Sequence, residues 1–320
     1  MTVATALEAS GAARDRTKDR RAVRIWLYAI AALVLAMVVV GGATRLTESG
    51  LSITEWKPVT GAIPPMSEEA WQEEFLKYQQ IPEYQEINQG MSLAEFKNIF
   101  WWEWAHRLLA RLIGVFFVVP FLWLWATGRI ERGLWPRLIA IFALGGLQGV
   151  AGWWMVASGL SERTDVSQYR LAIHLMLATL IFGYTIWVAH GLRPARAIAQ
   201  YPVNATRRFA EILIALVVLQ IYFGALVAGI EAWRAATDWP ALAGSLAPDG
   251  MFIIDPLWRN FFENMLLVQF QHRIVAYLIA VLVVVHAVMI ARRMPGSRTA
   301  FQDIDWLRWW GCRSRLESAH

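Results

Sequence analysis

The apolar positions of this chain are gathered into runs, not scattered along it. The runs are about 20 residues long, the length that crosses a bilayer as an α-helix. Six can be placed, at 24–43, 104–126, 137–157, 168–190, 209–230 and 265–291. The predicted fold class is therefore all-α: a polytopic membrane helix bundle with six transmembrane helices. The first long connection spans 44–103. Within it, Met66–Gln89 carries Glu68, Glu69, Glu73, Glu74, Glu83 and Glu86, with Trp71, Phe75 and Tyr78 at helical spacing among them. That pattern predicts a short amphipathic helix lying on the membrane surface. A second long connection spans about 231–264.

Composition agrees with this pattern. The 320 residues are 57% hydrophobic and only 17% charged, against roughly 25% charged in a soluble domain. The net charge of +5 does not point to nucleic acid, because the basic residues sit in short connections between apolar runs. Arg14, Arg16, Lys18, Arg20, Arg21 and Arg24 precede the first run, and Arg129, Arg132 and Arg137 lie between the second and third. Arg193, Arg196, Arg207 and Arg208 lie between the fourth and fifth, and Arg292 and Arg293 follow the sixth. The positive-inside rule then places these connections, and both termini, in the cytoplasm. The expected location is the cell inner membrane, multi-pass. Trp101, Trp102, Trp104, Trp153 and Trp154 at the ends of runs suit an interfacial aromatic belt. Cys312 is the sole cysteine, so one chain builds neither a disulfide framework nor an iron–sulfur cluster.

The chain repeats itself. Residues 104–114 (WAHRLLARLIG) resemble 270–280 (FQHRIVAYLIA), and Gly-Gly-Ala-Thr at 41–44 matches Gly-Ala-Leu-Val at 224–227. A repeat of helix pairs predicts pseudo-symmetric halves with equivalent sites. Three of the six histidines, His106, His174 and His272, fall a few residues inside the outer ends of the second, fourth and sixth helices. Histidines at one depth facing a bundle interior are the geometry for axial ligation of haem. The alternative for each is a hydrogen bond to neighbouring backbone or loop. His190 reads as interfacial. His286 lies roughly 21 Å deeper than His272 at 1.5 Å per residue, too far to share an iron. Glu103, one helical turn before His106, suits cation stabilisation or proton uptake beside a haem edge. Its counterpart in the repeat is Gln269, a neutral amide. Arg107 and Arg273 each follow a candidate ligand and are candidate partners for haem propionates, or else interfacial charges.

These segments carry a family resemblance. GGATRLTESGLSITEWKPVTGAIPP at 41–65, FKNIFWWEWAHRLLARLIG at 96–114, GLQGVAGWWMVASGL at 146–160, QYRLAIHLMLA at 168–178, FGALVAGIEA at 223–232 and FFENMLLVQFQHRIVAYLIA at 261–280 resemble haem A synthases in order, over about 22–295. The resemblance implies an oxidoreductase that converts haem O to haem A by oxidising a ring methyl to a formyl group, with water as the oxygen source. It implies substrate between His106 and His174, Glu103 in the oxidation, and a haem b relaying electrons on His272 and a histidine of an eighth helix. The implied partners are haem O, membrane lipid, haem O synthase and a quinone or other electron acceptor, and no nucleic acid. The alternative function is a non-catalytic, quinone-linked b-type cytochrome. The domains expected are an arm at 1–23, an N-terminal half at 24–190 holding the substrate site, a C-terminal half at 191–295 and a polar tail at 296–320. That tail has no apolar run where the family places helices seven and eight, so the second haem site is expected to be incomplete.

Overall fold

The computed structural model describes residues 3–194 and 204–293, with side chains over 16–194 and 206–292. The described α-helices are α1 (Val3–Leu46), α2 (Glu68–Tyr78), α3 (Pro82–Glu86), α4 (Leu93–Ala126), α5 (Trp135–Val156), α6 (Gln168–Gly191), α7 (Asn204–Gly229), α8 (Asn260–Glu263) and α9 (Met265–Arg293). Among the described residues there is no strand, only an isolated antiparallel bridge between Leu242 and Ser245. Six helices, α1, α4, α5, α6, α7 and α9, are long and apolar enough to cross a membrane. Each of the six predicted runs lies inside one of them to within a residue at its ends.

Two helices run further than hydropathy predicts. α1 begins at Val3, so the arm expected over 1–23 is largely helical. α4 begins at Leu93, not 104, which corrects the expected loop of 44–103 to 47–92. A capping box causes the second difference. The Ser92 side chain accepts from the Glu95 backbone N–H at 3.3 Å, and the Glu95 carboxylate accepts from the Ser92 N–H at 2.7 Å. Two orphan donors of the first turn are thereby satisfied. The polar residues of 93–103 keep that stretch out of the apolar run but do not break the helix. The expected polar tail of 296–320, with Cys312 and His320, lies outside the described residues.

The chain divides into two compact units, 1–195 and 196–320. In the first, α1 packs along both α4 and α6, while α5 packs along α6 and touches α4. The order around this four-helix bundle is therefore α1, α4, α5, α6, with α4 and α6 at opposite corners. Two apolar cores form along its length. One joins Leu27, Ile30 and Val34 of α1, Phe117 and Leu124 of α4, Leu138 and Ile141 of α5, and Ile181 and Val188 of α6. The other joins Phe96 and Phe100 of α4 to Val156, Val166 and the buried face of α2. That face is Trp71, Phe75 and Tyr78, as the helical spacing predicted. Trp71 meets the Phe100 ring at 4.9 Å, and Phe75 meets Phe96 at 5.0 Å. Edge and tilted ring contacts of this kind each add about 0.5–1.5 kcal/mol to burial. α2 is thus a lid packed on the extended start of α4. Outward side chains such as Val119 and Val150 remain about 60% exposed, as apolar residues meeting lipid would be.

Pro120 lies within α4, where its ring nitrogen has no hydrogen to give the carbonyl of Phe116. The indole N–H of Trp26 on α1 donates to that carbonyl at 2.9 Å instead. One bond both repairs the helix and fastens two helices together, in surroundings where an unpaired carbonyl is costly.

In the second unit α7 packs along α9. The connection between them is held by side-chain to backbone bonds. Asn260 donates to the carbonyls of Ile254 and Leu257 at 2.7 and 2.9 Å, and Asn264 donates to that of Gly250 at 2.8 Å. The Asp238 carboxylate accepts from the backbone N–H groups of Gly244 and Ala243. Those bonds, with Arg273 nearby, hold its carboxyl below the ordinary range.

Candidate functional site

His106 and His174 come from the opposite corners of the first bundle. In each helix the histidine lies between residues of the two apolar cores, so the imidazoles occupy a layer sandwiched between them. Each ring is seated on a glycine of a neighbouring helix. A Cβ at Gly41 of α1 would stand 3.0 Å from Cε1 of His106, and one at Gly152 of α5 would stand 2.9 Å from Cε1 of His174. The second unit repeats the arrangement, with a Cβ at Gly224 of α7 lying 3.3 Å from Cε1 of His272. Gly41 and Gly224 are the positions that the sequence repeat aligns.

The ring nitrogens differ in their partners. Nδ1 of His106 is buried with no hydrogen-bond partner. The amide of Gln148 approaches both nitrogens of His174 at 3.2 and 3.3 Å, and that of Gln220 approaches those of His272 at 3.0 and 3.1 Å. Each glutamine stands one turn before its seating glycine, so a Gln-x-x-x-Gly pattern recurs at 148–152 and 220–224. The first helix has Met37 at that place, which leaves His106 without an amide. The repeated pattern was present in the sequence and is the signal that would have found both glutamines.

Glu103 is 3% exposed. Its carboxylate accepts from Arg107 at 2.6 Å, from the Ser52 hydroxyl at 2.7 Å and from the backbone N–H of Ile53 at 2.7 Å. An interfacial acid facing water is therefore not what α4 presents. Arg107 also donates to the carbonyls of Ile53 at 2.8 Å and Glu55 at 3.0 Å. Arg111, one turn on, reaches those of Pro58 and Lys57 at 2.8 Å each. Arg273 does the same in the second unit, donating to the carbonyls of Asp238 and Ala241 at 2.6 Å and of Ala236 at 3.3 Å. Gln269 donates to the Ala236 carbonyl at 2.8 Å. In both halves the arginine after the histidine ties down the connection that precedes its own helix. Of the five N–H donors of a guanidinium, Arg107 has three committed to the protein, which leaves two for another acceptor.

His190 stands in the last turn of α6. His286 stacks on Phe209 with ring centroids 5.0 Å apart, away from His272 along α9, and joins no histidine pair among the described residues. No three His, Cys, Asp or Glu side chains converge on a bare-ion site among the described residues. The buried Nδ1 of His106, left without a hydrogen-bond partner, fits instead a metal-bearing group held by imidazole.

Helices of membrane-crossing length around a buried polar layer define a multi-pass membrane protein. A family model described as cytochrome oxidase assembly protein (COX15-CtaA) matches residues 24–307. A heme A synthase of Chelativorans sp. is 56% identical over 301 residues, 94% of this chain and 83% of the relative. That of Parvibaculum lavamentivorans is 59% identical over 268 residues, 84% and 77% of the two chains. That of Mesorhizobium japonicum is 53% identical over 289 residues, 90% and 79%. No solved structure matches the chain. The chain belongs to the haem A synthase family of cytochrome oxidase assembly proteins.

Proposed function

We propose that this chain is a haem A synthase, an oxidoreductase that converts the ring methyl of haem O to the formyl group of haem A. The balance is R–CH3 plus water giving R–CHO, four protons and four electrons. The carrying observation is the pair His106 and His174, at one level on diagonal helices, each seated on a neighbour's glycine. The substrate's own iron, once bound, supplies the redox chemistry. His106 and His174 hold it in place, and the apolar cores on either side limit water. Glu103, a turn from His106, provides the carboxylate that stabilises positive charge and takes up a proton. Its pairing with Arg107 fixes where that carboxylate points. The spare donors of Arg107 suit a propionate. In the second unit His272 would hold a haem b for electron relay, with Arg273 beside it. Gln269 replaces the acid there, which suits a site that passes electrons and does no proton chemistry. A quinone or similar acceptor would take the electrons, and a haem O synthase would supply the substrate.

We place the His-bearing ends of the helices on the outer side of the cell inner membrane. Support comes from the opposite end of the first bundle. There Arg20 pairs with Glu131 at 3.5 Å and reaches the Gly191 carbonyl at 3.5 Å, and Arg129 pairs with Asp19 at 3.8 Å. The basic connections thus gather at one end, as cytoplasmic loops do.

The test is pigment analysis after expression in a membrane that makes haem O but no haem A. The expected product is haem A. In Glu103→Gln the extract should hold haem O with haem A formation reduced about 100-fold or more, the usual scale for an acid–base group. Bound haem b with no haem A from the unaltered chain would favour the quinone-linked cytochrome.

A further inference from the structure

Glu83 lies on α3, the single turn that follows the α2 lid. Its side chain is 6% exposed, and its Oε2 is buried without a hydrogen-bond partner. A carboxyl sealed from water and left unpaired costs free energy, so a position that keeps one calls for a reason. The charged and titratable groups within electrostatic reach of it are Arg45 at the end of α1, Glu48 in the turn after α1, Tyr78 from α2, Glu103 from α4, and Asp165 from the connection between α5 and α6. Burial pushes the Glu83 carboxyl up to about 8. Repulsion from Asp165, Glu103 and Glu48 adds to this and outweighs attraction to Arg45. Near neutral pH such a group both holds and gives up a proton. Asp165 is the solvent end of the cluster: its side chain is 41% exposed and pairs with Arg45 at 3.1 Å. Glu103 is the interior end, a turn from His106.

We propose that Glu83 relays protons from Glu103 to Asp165 and the surrounding water, as the exit for protons released by methyl oxidation. The proposal rests on the reading of the chain as a methyl-oxidising enzyme. In each transfer an O–H bond of Glu103 breaks and one forms on Glu83, with water filling the place of the missing partner at Oε2. Glu83 then gives its proton to Asp165, which loses it to solvent. No electron moves in either step. Glu83 touches no substrate and acts through Glu103, whose carboxylate the Ser52 hydroxyl holds at 2.7 Å.

Two measurements on the full chain in lipid nanodiscs decide the matter. The first is an infrared titration for a protonated carboxyl band. The band should persist at neutral pH, titrate near pH 8 and be absent from Glu83→Gln. The second is the pH dependence of haem A formation. Glu83→Gln should slow it at least about tenfold and remove the limb near that pH, and Glu83→Asp should restore part of the rate. Glu83→Gln is isosteric and uncharged, and retention of the other infrared bands checks that it folds. A band missing from the unaltered chain, or a Glu83→Gln profile identical to that of the unaltered chain, overturns the relay. If no variant makes haem A and neither does the unaltered chain, the functional reading fails and takes the relay with it. The band then still reports whether Glu83 holds a proton.

Discussion

A glycine opposite a histidine is the smallest unit of the site. At Gly41 and Gly152 a single methyl group would fall about 3 Å from an imidazole carbon, closer than packed atoms tolerate. Overpacking of that kind typically costs about 1–3 kcal/mol, because the ring must leave its rotamer or the helices must part. Gly152→Ala is therefore expected to weaken haem retention by about tenfold or more, since every 1.4 kcal/mol is roughly a factor of ten. Gly224→Ala, with 3.3 Å available, should be milder. Haem-to-protein ratios after a fixed wash in detergent check both, and equal retention in all three proteins would show that the seats are not tight. The histidines were legible as chemistry because polar side chains inside apolar runs are rare, and Glu103 because it stands one turn before His106 where the repeat has Gln269. Their seats were not legible as seats. A glycine in a membrane helix reads first as close helix packing, and only the fold shows which side chain comes close.

At the level of elements, hydropathy located the membrane helices to within a residue but not their full extent. It measures how much of a helix is apolar, whereas helix length is set by capping and backbone bonding. The capping box at Ser92 carries α4 eleven residues upstream of its apolar run, and that extension is what α2 packs on. Pro120 is the converse case. A proline in a helical pattern predicts a break, yet α4 continues because Trp26 supplies the missing donor from another helix. Trp26→Phe keeps the ring contact with Phe117 at 5.0 Å but leaves the Phe116 carbonyl unpaired. The expected loss is about 1–2 kcal/mol of stability, read as a lower midpoint in thermal unfolding of the purified protein. An unchanged midpoint would mean that the carbonyl finds another donor.

For the whole molecule, the burial of Glu83 makes stability depend on pH. Its carboxyl is raised from the ordinary 4.5 to about 8 in the folded chain. The folded state therefore binds more protons than the unfolded state between those values, and stability falls as pH rises through that window. Below about pH 4.5 the contribution is fully present, and above about pH 8 it is fully lost. Glu83→Gln cannot ionise, so its unfolding midpoint should gain on that of the unaltered chain as pH rises from 5 to 8 and then keep a constant lead. Parallel midpoints across the window would show that Glu83 is not held protonated. Nothing in the sequence marked Glu83 out from the five other acids between Met66 and Gln89. It is α3, a turn with no strong pattern of its own, that folds this one inward.

The central claim is that His106 and His174 together hold the substrate haem. The most direct measurement is the optical and electron paramagnetic resonance spectrum of the purified chain loaded with haem O, taken for the unaltered protein, His106→Ala and His174→Ala. The account predicts a low-spin spectrum from two axial histidines in the unaltered protein. Each alanine variant should lose that signal while still inserting into the membrane, and His190→Ala should keep it. A low-spin haem O signal that survives in both His106→Ala and His174→Ala would contradict the account.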